Sequence, residues 1–243
     1  MPTPLRRWTL PSDSNSNLRD LGGYLCNGGH RGITKYGALL RSDQIYNLTD
    51  EDKQFLLSRN ITDIIDLRGS GERESFPNAF EKHNAVTVHS FEDGSEHAMY
   101  ESVAKMKNMG EFYIWMIDAV ASRCVKSLEI IANAQGMTIM HCLVGKDRTG
   151  LLAAVLLLAL GVDERDVIAD YQVSATFLTA FAFQDLLNRP GMPEFVGLSS
   201  AENMAATIEY MNAEYGGALA YLKQHGLSDG TYTKLCAKLI EKL

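Results

Sequence analysis

The ten residues "HCLVGKDRTG", 141 to 150, set a thiol, an imidazole, two cations, a carboxylate and two glycines between the apolar runs "MTIM" (137–140) and "LLAAVLLLAL" (151–160). The first run belongs to "GMTIMHC" (136–142), a short apolar stretch that reads as a buried strand. The second falls well short of the ~18 apolar residues that suggest a membrane span, and reads as a helix buried in a core. The order is strand, polar loop, helix. A loop in that setting curls so that successive backbone N–H groups point inward, and the helix start adds a partial positive charge. The product is a cradle for an anion.

The side chains suit a phosphate in that cradle. Arg148, at the rim, offers a planar guanidinium that can pair with phosphate oxygens two at a time, opposite the backbone donors of Leu143, Val144, Gly145 and Lys146. Cys142 lies at the floor, facing the phosphorus. Thiolate is the nucleophilic form of cysteine, and the groups that hold phosphate also favour the thiolate. His141 is expected to hydrogen-bond to backbone and fix the loop. Gly145 permits a turn that a side chain would obstruct, and Gly150 permits close helix packing. Thr149 is placed to donate its hydroxyl to the Cys142 sulfur. Lys146 is expected to add positive potential at the mouth, favouring substrates with more than one phosphate. The implied chemistry is attack by Cys142 on phosphorus to give a phosphocysteine, then hydrolysis by water, with Asp147 within reach as acid and then base. A nucleotide-binding G-x-x-x-x-G-K-[ST] loop is excluded, because Met140 and Asp147 stand where it needs Gly and Ser or Thr.

Outward from the loop, "NITDIIDLR" (60–68) and "AVTVHSF" (85–91) supply two more strands of one buried sheet. "LTDEDKQFLLSRN" (48–60) reads as a helix capped by Thr49 with acids in its first turn. "GEFYIWMIDAVASRCVKSLEIIANAQG" (110–136) is a helical pattern ending on glycine. The C-terminal half is helical, broken at "RPGMPEF" (189–195), "YGG" (215–217) and "HGLSD" (225–229), with Ser199 or Ser200 and Ser228 as caps. The fold class is α/β, a central sheet flanked by helices with a helical C-terminal part. No repeat or linker divides the 243 residues, so one domain over 1–243 is expected, with about the first 14 residues peripheral.

Composition narrows the function. A net charge of −7 gives no global footprint for nucleic acid. Four scattered cysteines, Cys26, Cys124, Cys142 and Cys236, read as reduced thiols with neither a metal site nor a disulfide core, and no cofactor is implied. The N-terminus lacks the apolar run of a secretory signal, and no membrane span is expected, so the expected location is cytoplasmic.

The loop, C-x5-R preceded by His and followed by Thr-Gly, resembles that of the cysteine-based protein tyrosine phosphatases. Its version "GKDRTG" is similar to the bacterial and fungal group that includes dual-specificity and phosphoinositide phosphatases. "NLRDLGGY" (17–24), "LLRSDQIYNLTDED" (39–52), "IIDLRGSGE" (64–72) and "YGGALAYLKQHGLSD" (215–229) resemble further elements of that group. The resemblance implies that Cys142 is the nucleophile, that Arg148 binds phosphate, and that Lys146 and Asp147 shape the mouth. It implies supporting roles for Arg19 and Asp20. It leaves three carboxylates as candidate general acid: Asp147 first, Asp66 at a strand end second, Asp93 third. Arg68 either pairs with Asp66 structurally or serves the site. Leu143 and Val144 depart from the small, polar or basic residues usual after the cysteine, which leaves the cradle intact and weakens a carry-over of lipid specificity.

The expected partner is a phosphorylated protein, a phosphoinositide or a soluble inositol phosphate. The competing reading is a module that binds phosphate without catalysis, which would be marked by a lost nucleophile or arginine; neither is lost. The series Phe112, Trp115, Met116, Phe177, Phe181 and Phe183 reads as core, and 92–110, with Met99, Met106 and Met109, as a flap over the site.

Overall fold

The computed structural model describes residues 7–12, 17–91, 95–177, 188 and 191–243. A five-stranded sheet forms the centre: β1 (Arg19–Asp20), β4 (Leu39–Ser42), β7 (Met137–His141), β5 (Ile61–Asp66) and β6 (Thr87–Ser90), in that spatial order. All neighbours are parallel except β1, which runs antiparallel to β4. Parallel strands need cover on both faces, and the side chains sort accordingly. Leu40, Ile64 and Ile139 enter one apolar cluster with Leu56 of α1 (Asp50–Ser58). Leu39, Ile65 and Met140, one residue along, enter the larger cluster on the other face. This is the period-two alternation of a strand buried on both sides.

The larger face is covered by α4 (Met109–Ala119), α5 (Ala121–Asn133) and α6 (Arg148–Ala159), backed by α7 (Glu164–Val173), α8 (Ala201–Tyr215), α9 (Ala218–Gln224) and α10 (Asp229–Leu239). Two shorter helices, α2 (Ser70–Ser75) and α3 (Ser95–Val103), follow β5 and β6. A second, antiparallel sheet of β2 (Leu25–Cys26), β3 (Gly32–Thr34) and β8 (Ile240–Glu241) ties the chain's end to its beginning.

The α/β class and the helical C-terminal part are as expected, and several details differ. The pattern over 110–136 is two helices that turn at Val120, because α4 packs on α8 whereas α5 packs on α10. Thr49 caps α1 through a reciprocal bond pair with Asp52, and Ser200 and Ser228 occupy the expected cap positions of α8 and α10. The last helix gives way to β8 before the C-terminus. Within the first 14 residues the chain is anchored at two points: Leu10 is 2% exposed in the smaller cluster, and the Ser12 N–H and hydroxyl donate to Asp52. Among the described residues no helix is long and apolar enough to cross a membrane.

Register places the site. Ser42 of β4 and Asp66 of β5 both pair with His141 of β7, so the carboxyl ends of these strands finish level. The loop 142–147 leaves the sheet there and runs into α6, at the edge where parallel α/β sheets bind ligands.

Candidate active site

The carbonyls of the loop explain its shape. The Cys142 carbonyl lies 3.2 Å from His141 Nδ1, the Leu143 carbonyl accepts from the Gln44 N–H at 3.2 Å, and the Val144 carbonyl accepts from Asn17 Nδ2 at 2.9 Å. The Gly145 carbonyl accepts from Arg41 Nη2 at 2.7 Å. Four successive carbonyls are thus held from outside the loop. Because C=O and N–H point in opposite directions across a planar trans peptide, the N–H groups of residues 143 to 146 turn the other way. One of them, on Gly145, already donates to Cys142 Sγ at 3.3 Å. Gly145 is required here: its φ is +72°, and a Cβ would lie 2.5 Å from the Ser42 carbonyl oxygen.

The donors that hold the loop come from a buried network. Arg41, of β4, also makes a short ion pair with Asp170 of α7, and Asp170 accepts from Arg19 Nε at 2.9 Å. Arg19 continues to the Asp170 carbonyl, Ser174 and Asn17, the residue that holds Val144. Burial alone would raise the Asp170 carboxyl, but the charges of Arg19 and Arg41 outweigh it and hold the group below the usual range. Arg19 is thus two contacts from the loop. Asp20 receives the N–H groups of Gly22 and Gly37 at 2.8 Å each and ties two turns together. Gly150 lets α6 approach, since a Cβ there would stand 3.1 Å from Arg41 Nη2.

Arg148 meets a partner that sequence reasoning missed. Its two terminal nitrogens donate to the carboxylate of Glu72, in α2, at 2.5 and 2.7 Å, and Nη1 also reaches the Leu67 carbonyl at 3.2 Å. Those bonds use three of five guanidinium hydrogens. The two left, on Nε and Nη2, form the side-on pair that fits two phosphate oxygens. Burial works against the charge of Arg148, but Glu72 raises its pKa well above the ordinary value, with Cys142 adding to the effect. The partner is reciprocally depressed: burial opposes ionisation of Glu72, and Arg148 overcomes it.

Asp66 faces away from the cleft. His141 and Asp66 are register partners and therefore point to one face of the sheet, whereas Cys142 points to the other. Asp66 is fully buried, gripped by Arg68 at 2.9 and 2.7 Å, with Asn78 and His141 at 3.4 Å. Burial would raise its pKa, but His141 and Arg68 hold it far below the ordinary value, so it carries no proton to give. Arg68 Nη1 donates to the Phe76 carbonyl at 2.7 Å. Asp93 lies outside the described residues.

Lys146 also departs from expectation. It is 0% exposed, and its ammonium donates to the carbonyls of Val196 and Leu198 at 2.6 and 2.9 Å, with Asp147 Oδ1 at 3.1 Å. It fastens the cradle to the 3₁₀ turn Glu194–Gly197 and supplies no cation at the mouth. The Thr149 hydroxyl is buried without a hydrogen bond among the described residues, so the expected bond to Sγ is not formed. Asp147 is partly buried and lines the cleft; its Oδ1 accepts from the Tyr113 hydroxyl at 2.6 Å.

Cys142, Leu143, Val144, Asp147 and Arg148 share one cleft of about 540 Å³ including its open mouth. Cys142 is 2% exposed at its base. The 92–110 stretch contributes a wall: α3 presents Met99, Tyr100 and Val103, joined by Met109, Phe112, Met192 and Val196. Phe112 and Met116 are core residues as expected, whereas Phe181 and Phe183 lie outside the described residues.

A profile of the tyrosine phosphatase family matches residues 10–241. The chain belongs to that family. It is similar to a tyrosine-protein phosphatase of Nostoc commune, 27% identical over 83% of this chain and 74% of the relative. A putative tyrosine-protein phosphatase of Cupriavidus necator is 28% identical, over 86% of this chain and 76% of that one. The triple specificity protein phosphatase PtpB of Mycobacterium tuberculosis is 25% identical, over 84% of this chain and 91% of its own. Among solved structures, TpbA of P. aeruginosa covers 90% of this chain and 96% of its own at 15% identity, with a TM-score of 0.46. As a member of the tyrosine phosphatase family the protein is a phosphatase.

Proposed function

We propose that the protein hydrolyses phosphotyrosine-type aryl phosphate monoesters through a phosphocysteine on Cys142. The observation that carries this reading is the convergence of Cys142, Arg148 and Asp147 on one cleft, at the end of a loop whose carbonyls are all drawn outward. The N–H groups of 143 to 146 and the side-on face of Arg148 hold the three phosphate oxygens. Sγ attacks phosphorus, the P–O bond to the leaving group breaks, and the departing oxygen takes the proton of Asp147. Water then attacks phosphorus and gives its proton to Asp147, and the P–S bond breaks to release phosphate and thiolate.

Two features favour an aryl ester. Cys142 shares its cleft with a wall of methionine, valine, tyrosine and phenylalanine, which suits a flat apolar ring. The only cation lining it among the described residues is Arg148, since Lys146 is committed to Val196 and Leu198. A substrate with several phosphates finds one cation.

The test is phosphate release from four classes: a phosphotyrosine peptide, a phosphoserine peptide, a phosphoinositide and a soluble inositol phosphate. The phosphotyrosine peptide is expected to lead in kcat/KM by at least about ten-fold, roughly the 1.4 kcal/mol that one added apolar contact supplies. Preference for either inositol class overturns the substrate assignment. Undiminished turnover by Cys142→Ser overturns the mechanism.

A further inference from the structure

Asp147 carries two oxygens with unlike surroundings. Oδ1 receives the Tyr113 hydroxyl, from α4, at 2.6 Å and lies 3.1 Å from the Lys146 ammonium. Oδ2 has no hydrogen bond among the described residues. Behind Tyr113, its oxygen lies 2.9 Å from the hydroxyl of Tyr171, on α7. A phenol has one hydrogen. If Tyr113 gives its hydrogen to Asp147, Tyr171 must give its own to Tyr113, and the chain Tyr171, Tyr113, Asp147 runs in one direction.

We propose that Tyr113 is a positioning residue for the acid step, fixing Asp147 so that its proton sits on Oδ2 in the cleft. This rests on the reading of Asp147 as general acid. The argument is one of donors. An ammonium has no lone pair, so a proton on Oδ1 would confront Lys146 with a second donor 3.1 Å away and would compete with the phenol as well. Oδ1 therefore stays an acceptor whether Asp147 is neutral or ionised, and the proton that reaches the leaving oxygen is carried by the other atom. Burial and the charge of Asp147 hold the Tyr113 phenol protonated well past neutral pH, so the donor does not switch off in the working range. Burial does the same for Tyr171.

The other ionisable groups around Asp147 are Lys146 in its own loop, Tyr171 behind Tyr113, Cys142 and Arg148 across the cleft with Glu72 behind Arg148, and Tyr100 on the α3 wall. Tyr113→Phe removes the one neutral donor on Oδ1 and changes none of those charges.

The experiment compares pH profiles of kcat for the full-length wild type, Tyr113→Phe, Asp147→Asn and the double variant. Each is assayed on an aryl phosphate with a good leaving group and on an alkyl phosphate. Asp147→Asn is expected to lose the basic limb and to slow the alkyl ester much more than the aryl one. Tyr113→Phe is expected to keep the basic limb, since the acid itself is retained. It should also slow the alkyl ester by about ten-fold through looser aim of Oδ2, with little change on the good leaving group. The double variant should match Asp147→Asn alone. If Asp147→Asn spares the alkyl ester, the acid assignment fails and this proposal with it. If Asp147→Asn behaves as expected but Tyr113→Phe leaves the alkyl ester unslowed, or slows both esters equally at every pH, Tyr113 is structural and the proposal alone is overturned. Should Tyr113→Phe not fold, Tyr171→Phe bears the same test one bond further out, with a smaller selective slowing of the alkyl ester expected and its absence refuting the proposal.

Discussion

Asp170 lies in α7 and touches no part of the cleft, yet the geometry makes it a heavy contributor to both stability and the shape of the phosphate loop. One carboxylate oxygen serves Arg19 and Tyr24, the other serves Arg41, and Arg41 in turn holds the Gly145 carbonyl. In Asp170→Asn a single carbonyl oxygen replaces two acceptors, and the amide NH2 is turned against one guanidinium whichever way it is placed. That guanidinium is buried, and in the case of Arg41 it already carries an Nε without a partner among the described residues. Removing one partner of a buried pair costs about 3–5 kcal/mol, because the desolvated charge left behind has no compensation. Against a total stability on the order of 5–15 kcal/mol this is severe. For a chain of this length it corresponds to a fall in Tm of about 6–20 °C.

Urea unfolding of the wild type and of Asp170→Asn measures the loss directly. A double cycle with Arg41→Met assigns it: once Arg41 is gone, Asp170→Asn strands one fewer cation, so the double variant should be less destabilised than the sum by about 0.5–3 kcal/mol. At a temperature where Asp170→Asn stays folded, inhibition by inorganic phosphate should weaken as the Gly145 carbonyl loses its anchor. A destabilisation below about 1 kcal/mol, or strict additivity with Arg41→Met, would show that Asp170 and Arg41 are neighbours without being coupled, and the account of the loop would fall.

Three further outcomes are expected. Gly145→Ala should lower stability by about 1–2 kcal/mol for its positive φ and remove most activity, since the Cβ meets backbone at 2.5 Å; Gly37→Ala, with φ +71° and nothing within 4 Å, should incur the first effect only, as melting curves and turnover on an aryl phosphate will show. Arg148→Lys should lower kcat/KM by about 10²–10³, because a single ammonium cannot pair with both Glu72 oxygens and still offer two donors to phosphate; activity within ten-fold of wild type would remove the side-on fork from the scheme. Acid should weaken the fold through Asp66, Asp170, Glu72 and Asp52, all of them held below their unfolded values, Asp52 at about 2, where burial is outweighed by bonds from Ser12 and Thr49. The unfolded chain then binds more protons than the folded one, so this stability is present in full above about pH 5 and is lost as the pH falls through about 4 toward 2; urea midpoints that do not drop between pH 7 and pH 3 would contradict it.

The cradle was legible because its parts are adjacent in the chain. Strand, loop and helix occupy 137–159 without interruption, and the spacing of Cys142 and Arg148 is a property of one stretch. What supports it was not, because a buried polar network obeys no local period. Arg41 and Asp170 meet across 129 residues, Arg148 and Glu72 across 76, and Tyr113 and Asp147 across 34. Taken alone, Glu72 reads as the N3 acid of a short helix, accepting from the Gly69 N–H, and only the fold shows both its oxygens on Arg148. Likewise β1, β2, β3 and β8 have two or three residues each, too few for alternation to show.

Asp66 and Lys146 show a second reason. The chain order puts one at a strand end and the other inside the loop, but it does not give the direction of either side chain. For Asp66 the direction follows from parity: an odd separation from Cys142 in sheet register sends it to the opposite face, a rule that needs the register of β5 on β7 before it can be applied. For Lys146 it follows from desolvation. A buried ammonium must find oxygen acceptors, and the Val196 and Leu198 carbonyls supply two of them, 50 and 52 residues away in the chain. Lys146 therefore serves the cradle by joining it to its apolar wall, and the cleft is left with Arg148 as its one lining cation among the described residues. The charge of Lys146 is spent on the Val196 and Leu198 carbonyls, so the positive potential that its place in the loop suggests is missing from the cleft, which supports the proposed preference for a singly phosphorylated substrate.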